Sequence, residues 1–375
     1  PSGIVEPMRG GVFFLSFILF LLALHPISPA EVDLSPEYAT RYSVERDGDV
    51  TILSVLEPWP GGEPIRYALV PRGSGLSRPG VEATIEVPVR TVVSLSSTYI
   101  PHLDSLELLD RLVGVDRRSY IYNQEVRRRI DDGEILEVGD IDSLDMERLL
   151  AARPEMIMAS ALSEEDLLRL SRPGFPVVVN ADWLETSPLG RAEWIRFLSL
   201  FFEKSEEAQR IHQRIAAEYE ETRNRLAQAT ERPTLLANAP YRGEWAVPAG
   251  ESYLATLFED AGADYLWSET EGTGSVFRSL EAVFARAREA EFWVNLGFRW
   301  SSREDVRAVD PRLAEFRAFQ EGSMYHYNRR VRPGGANDFW ESGAARPDIV
   351  LADLGRIFHP ELLGDHELYY YRRIE

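Results

Sequence analysis

The chain has 375 residues, a formal net charge of −20, 44% hydrophobic and 27% charged residues, and no cysteine. That length allows two lobes with separate cores, and the lack of cysteine excludes disulfides, thiolate metal sites and cysteine nucleophiles. So acidic a chain repels nucleic acid and anionic lipid, and neither is expected as a partner.

Residues 1–30 read as a secretory signal peptide: Arg9, an apolar run over residues 12–24, and a small-x-small end at Ser28 and Ala30. The run is shorter than the roughly 18–20 residues a membrane span needs, so cleavage near Ala30 is expected and no stable insertion afterwards. No cysteine follows to carry a lipid. The mature protein is therefore expected free in an extracytoplasmic space, most simply a periplasm.

Residues 31–88 read as a small β-rich extension, with strands near 42–44, 50–55 and 65–70 and loops rich in Pro and Gly. From residue 89 the pattern becomes α/β. Strands near 91–95, 112–115, 156–159 and 176–180 alternate with helices near 102–111 and 144–152. These strands are nearly continuous apolar runs, as in a parallel sheet covered on both faces. Residues 89–186 thus form an expected N-terminal lobe.

Residues 187–231 read as connecting helices: an amphipathic one over 191–202, then 205–229 without Gly or Pro, roughly 37 Å long. Arg232 and Pro233 end that run, and residues 232–375 repeat the alternation as a C-terminal lobe. Its strands lie near 234–237 and 292–296, and its helices near 252–261, 280–287 and 339–357. The segments 145–159 and 279–293 echo each other, each with Glu, two apolar residues and Ala before a polar break and a strand. The fold expected is two Rossmann-like lobes with mainly parallel sheets, joined by one long rigid helix.

No dinucleotide, P-loop, nucleophile-elbow or HExxH motif is present. The six histidines (His25, His102, His212, His326, His359, His366) are scattered, and neither a metal site nor a catalytic set is expected. Aromatic and arginine residues instead fall in loops after strands, where open α/β sheets bind ligands. They are Tyr99, Tyr120, Tyr122, Trp183, Tyr241, Trp245, Arg299 and Trp300. Such a set suits a bulky or flat ligand, and Arg299 would recognise its anionic groups. In residues 332–340, Asn337, Asp338 and Trp340 either face the same cleft or, for the first two, cap the following helix.

The segment 92–115, the E-x-x-x-A-x-x-P-E pattern at Glu147–Glu155, and the stretches 187–197, 245–254 and 337–362 resemble substrate-binding proteins of ABC importers for ferric siderophores, haem and cobalamin. The resemblance spans residues 89–372 and implies a monomer that binds its ligand in a shallow interlobe cleft. It implies one exposed glutamate per lobe that docks on the permease dimer, here Glu147 and Glu281. It implies no cofactor and no catalysis: the bound group is a transported metal chelate, most simply a ferric siderophore, then cobalamin or haem. Two departures stand out, namely Ser96–Pro101 in place of the usual turn after the first strand, and the extension at 31–88. The alternatives are an exported hydrolase acting in the cleft and a protein-binding sensor module.

Overall fold

The structure is a computed structural model that describes Ser2, Gly3 and residues 33–375 apart from Pro173, Phe298 and Arg299. The signal-peptide reading and the Arg299 assignment fall outside the described residues. Contacts divide the chain into residues 1–33 and 34–375, and the second unit is described by itself.

Four strands open it: β1 (Tyr42–Asp47), β2 (Val50–Val55), β3 (Ile65–Pro71) and β4 (Ala83–Val87). They form one sheet in chain order, with β3 and β4 parallel and the other pairs antiparallel. Asp47 pairs with Val50 across a two-residue turn. Gly48 holds φ 62° there, the conformation such hairpin turns demand. One face of the sheet shares its core with the next lobe, Tyr42, Leu53, Tyr67 and Ile85 packing with Val92, Trp194 and Phe197. The backbone N–H of Val179 donates to the Tyr67 hydroxyl at 3.0 Å.

The N-terminal lobe runs β5 (Val92–Ser94), α1 (Ile100–Ser105), β6 (Leu112–Val115), α2 (Gln124–Asp131), β7 (Leu136–Glu137), α3 (Met146–Ala152), β8 (Met156–Ala159), α4 (Glu164–Ser171) and β9 (Val177–Val179). Its sheet has the order β7-β6-β5-β8-β9 and is parallel throughout. Every residue of β8 and β9 is buried, because helices cover both faces and only apolar side chains fit there.

Three helices follow: α5 (Pro188–Ala192), α6 (Trp194–Ser199) and α7 (Ser205–Leu226). The single helix expected over 191–202 is broken into α5, α6 and a 3-10 turn at Leu200–Phe202, closed by Glu203 at φ 56°. The long helix α7 ends at Leu226 and packs against α6 and α13.

The C-terminal lobe contains β10 (Thr234–Ala237), β11 (Pro240–Tyr241), β12 (Glu244–Pro248), α8 (Tyr253–Asp260), β13 (Asp264–Tyr265), β14 (Ser275–Ser279), α9 (Leu280–Ala287) and β15 (Phe292–Val294). It continues with α10 (Arg303–Val309), α11 (Arg317–Glu321), β16 (Met324–His326), α12 (Asp338–Ser342), α13 (Pro347–Phe358) and β17 (Arg372–Arg373). Its main sheet, β13-β10-β15-β16-β17, is parallel except for the last pair. A separate antiparallel sheet, β11-β12-β14, lies beside it. The helix expected over 339–357 is really two, since Pro347 opens α13 at a position where a missing N–H costs nothing. The helix expected over 102–111 likewise stops at Ser105, with Glu107 at φ 57° before a 3-10 turn. The architecture is two α/β lobes with mainly parallel sheets.

Candidate ligand cleft

In each lobe the chain leaves its first strand and returns to it from opposite sides. The strand β5 lies between β6 and β8, and β10 lies between β13 and β15. Loops at such points diverge and leave a crevice at the carboxyl ends of the strands. In the N-terminal lobe the Tyr99 hydroxyl and Ser160 Oγ meet at 2.7 Å across the loops that follow β5 and β8. In the C-terminal lobe the corresponding positions are Asn238 and Asn295, at φ 64° and 57°. Asparagine tolerates this left-handed conformation better than other side chains. Both asparagines line a cleft of about 1310 Å³, large enough for a ligand well beyond amino-acid size.

The N-terminal lobe supplies Thr98, Trp183, Leu184, Glu185 and Thr186 to this cleft, and α5 supplies Arg191. The C-terminal lobe supplies most of the rest, including Tyr241, Tyr253, Trp300, Tyr327, Phe339 and Trp340. Several of these rings brace one another. Tyr327 stacks on Phe339 at 4.3 Å with a 10° interplanar angle, and Trp340 meets Tyr327 edge-on at 5.2 Å. Tyr241 and Trp340 are 71% and 52% exposed and stand at the rim, so a ligand entering the cleft would cover them.

Two cations lie on the described lining: Arg242, exposed at the rim with its guanidinium 5.1 Å from the centre of the Tyr241 ring, and Arg191, set among the inner rings. The Arg191 guanidinium lies 5.1 Å from the centre of the Tyr253 ring, a cation–π contact. Burial pushes the Tyr253 hydroxyl up to about 12, with Arg191 pulling the other way. Burial also raises the pKa of Asp182, opposed by the charge of Arg191. Among the described residues, three buried N–H donors on cleft-lining side chains have no acceptor: Arg191 Nε, Trp183 Nε1 and Asn295 Nδ2. Glu185 is the one carboxylate on the described lining. It already accepts from the backbone N–H of Thr40 and Arg41 and from Trp194 Nε1, at 2.9 to 3.1 Å.

Of the residues singled out from the sequence, Trp183, Tyr241, Trp300 and Trp340 line the cleft. The others do not. Tyr99 is wholly buried, its hydroxyl turned to Ser160. Trp245 is a core residue: its indole packs 5.5 Å from that of Trp293 and donates to the Ala237 carbonyl at 2.9 Å. Tyr120 is 48% exposed and away from the lining. Asn337 caps α12, accepting from the Phe339 N–H at 3.0 Å while its amide donates to the Tyr327 carbonyl. Asp338 pairs with Arg330 at 2.5 Å. Arg191, Tyr253, Asn238, Asn295 and Tyr327 were not foreseen. The two asparagines carried a signal, since each ends an apolar strand run; Arg191, Tyr253 and Tyr327 carried none.

Tyr122 belongs to a strap between the lobes. Its backbone N–H and that of Asn123 donate to the Glu341 carboxyl at 2.5 and 2.8 Å. Its carbonyl accepts from Arg332 Nε, and the Arg332 and Arg330 guanidinia lie 4.6 and 5.4 Å from its ring centre. Burial pushes the Glu341 carboxyl up to about 8 against the pull of these two N–H groups.

The sequence profile of the periplasmic binding protein family matches residues 92–331. The chain belongs to this family. An uncharacterized lipoprotein of Methanocaldococcus jannaschii is 25% identical over 301 residues, covering 76% of this chain and 69% of that one. Among solved structures, a possible iron-binding periplasmic solute-binding protein of Staphylococcus epidermidis superposes with a TM-score of 0.55 at 15% identity, covering 72% of this chain and 99% of that one. A periplasmic heme-binding protein of Pseudomonas aeruginosa gives 0.55 at 20% identity, covering 72% and 93%. At these identities the likeness to solved structures establishes the fold.

In this periplasmic binding protein the glutamates of the internal echo occupy matching places. Glu147 and Glu281 are each the second residue of a helix, and Asp145 and Ser279 cap those helices. The two helices lead into β8 and β15, each the neighbour of its lobe's first strand. Both side chains are exposed. Glu281 pairs with Arg312 at 3.1 Å, and its pKa is lowered by its own backbone N–H and then by Arg312. Among the described residues no helix is long and apolar enough to cross a membrane.

Proposed function

We propose that this periplasmic binding protein captures a metal chelate in the interlobe cleft and delivers it to an ABC importer, with an anionic ferric siderophore as the first class of ligand. The observation that carries the reading is the chemistry of the cleft: aromatic walls, two arginines (Arg191 within and Arg242 at the rim) and, among the described residues, three buried N–H donors that lack acceptors. A ligand that brings its own acceptors, in negatively charged oxygens, completes that arrangement. A siderophore also brings its metal already coordinated. Among the described residues no group of three or more His, Asp or Glu is placed to hold a bare ion. Haem would require an axial ligand from the protein, and on the described lining only tyrosines could supply one. Cobalamin fits the aromatic walls but makes less use of Arg191. The iron-binding and heme-binding descriptions of the structural relatives support the chelate class.

The hydrolase alternative needs a pair of acid/base groups, and the described lining carries Glu185 without a second carboxylate or a histidine. Signal cleavage near Ala30 and a location outside the cytoplasm complete the proposal, with Glu147 and Glu281 as the permease contacts.

The test is a tryptophan-fluorescence titration. Three of the eight tryptophans (Trp183, Trp300, Trp340) line the cleft, so a bound chelate should quench saturably. A ferric tris-catecholate, a ferric tris-hydroxamate, haem and cyanocobalamin form the panel, and the catecholate complex should bind most tightly. Saturation by none of them would overturn the reading.

A further inference from the structure

The family match begins at residue 92, yet the cleft does not. Pro60, from the loop between β2 and β3, lies on its lining. That loop is a built turn. The Gly62 N–H donates to the Trp59 carbonyl at 2.8 Å, with Pro60 and Gly61 between them and Gly61 at φ 72°. Proline followed by a residue with positive φ is the arrangement a type II turn requires. The Trp59 ring folds back over the turn, so close that a Cβ on Gly62 would stand 2.6 Å from its Nε1.

The turn is also tied to the cleft by a continuous set of bonds. The Gly61 N–H donates to Glu57 at 3.1 Å, and Glu57 pairs with Arg41. The backbone N–H of Arg41 donates to Glu185, itself on the cleft lining, at 3.0 Å. The turn is therefore fixed before any ligand arrives, and contact with it costs little ordering entropy.

We propose that the β2–β3 turn is a rigid wall of the ligand site, contributed from outside the matched family region, that limits the size of the chelate the cleft accepts. This rests on reading the cleft as a chelate site. Removing the wall weakens binding of the chelate that fits it and relaxes the preference against bulkier ones. One lost apolar contact in a pocket corresponds to roughly a tenfold change.

The experiment titrates full-length wild type, Pro60→Ala and Trp59→Ala with the ferric tris-catecholate and with a bulkier tris-catecholate carrying glycosyl substituents. Asp49→Ala, at the opposite end of the same sheet, is the control. The expected result is about a tenfold loss for the smaller chelate in both turn variants, a smaller loss or a gain for the bulkier one, and no change in the control. If Trp59→Ala fails to fold, Pro60→Ala decides, since the turn backbone and its glycines remain. Affinities within about twofold of wild type for both chelates, or an equal loss in Asp49→Ala, overturn the wall and leave the chelate reading standing. Wild type that binds neither chelate overturns both.

Discussion

Glu341 shows how one buried carboxyl ties lobe mechanics to pH. It accepts two backbone N–H groups from the opposite lobe at 2.5 and 2.8 Å. Burial, with Asp338 adding to it and Arg332 opposing it, still pushes its pKa up to about 8. In the unfolded chain a glutamate titrates near 4.3. The folded state therefore keeps a proton that the unfolded state releases, and stability falls as pH rises through this window. His102, pushed down to about 4, and His326, to about 3, act in the opposite sense, so their contribution is lost as pH falls below about 6.5. By about pH 7.5 the histidines are almost wholly neutral in both states. Denaturant melts at pH 7 and 8 should show wild type losing stability relative to Glu341→Gln, by up to about 1.4 kcal/mol per pH unit for one proton. An equal slope in the variant would refute the assignment.

At the scale of elements, two carboxylates hold the N-terminal sheet in place. Glu193, wholly buried, accepts the backbone N–H groups of Glu37, Tyr38 and Ala39 at 2.7 to 2.8 Å. Glu185 takes the next two. The contact is close enough that a Cβ on Gly190 would stand 2.8 Å from the Tyr38 carbonyl oxygen. Glu193→Ala leaves three N–H groups without their acceptor, and a loss of about 3 kcal/mol or more is expected in chemical denaturation. A loss under about 1 kcal/mol would mean that water replaces the carboxylate at no cost.

None of this docking was legible in the sequence, where Glu185 and Glu193 look like ordinary polar residues beside helix starts. The longer central strands were legible, because parallel strands covered on both faces must be apolar throughout, as at Met156–Ala159 and Val177–Val179, while short ones such as Asp264–Tyr265 and Met324–His326 were not. The helix break at Glu107 was not, since glutamate in a left-handed conformation carries no sequence signal, whereas the stop at Glu203 falls between the helices read over 191–202 and 205–229. The site was legible only in part. Trp183 and Trp245 both follow strands, yet Trp183 lines the cleft while the hairpin β11–β12 turns Trp245 back into the core.

At the scale of the molecule, the two lobes repeat a plan that presents a loop-lined cleft between them and one glutamate at the same place on each. Exposed ion pairs contribute about 0–1 kcal/mol each, so paired docking contacts act through orientation and encounter rate more than through affinity. Glu147→Ala combined with Glu281→Ala should abolish chelate uptake in cells while the purified variant binds chelate as wild type does. Wild-type uptake by the double variant would remove these residues from the docking surface.

The central claim is that the cleft takes an anionic, fully coordinated metal complex. It is tested most directly by titrating wild type and Arg191→Gln side by side with the triply negative ferric tris-catecholate and the neutral tris-hydroxamate, following tryptophan quenching. The account predicts saturable one-to-one binding, with the catecholate complex preferred by wild type and weakened about tenfold or more in the variant, and the neutral complex little changed. No saturation with either complex, or a catecholate affinity indifferent to Arg191, would contradict it.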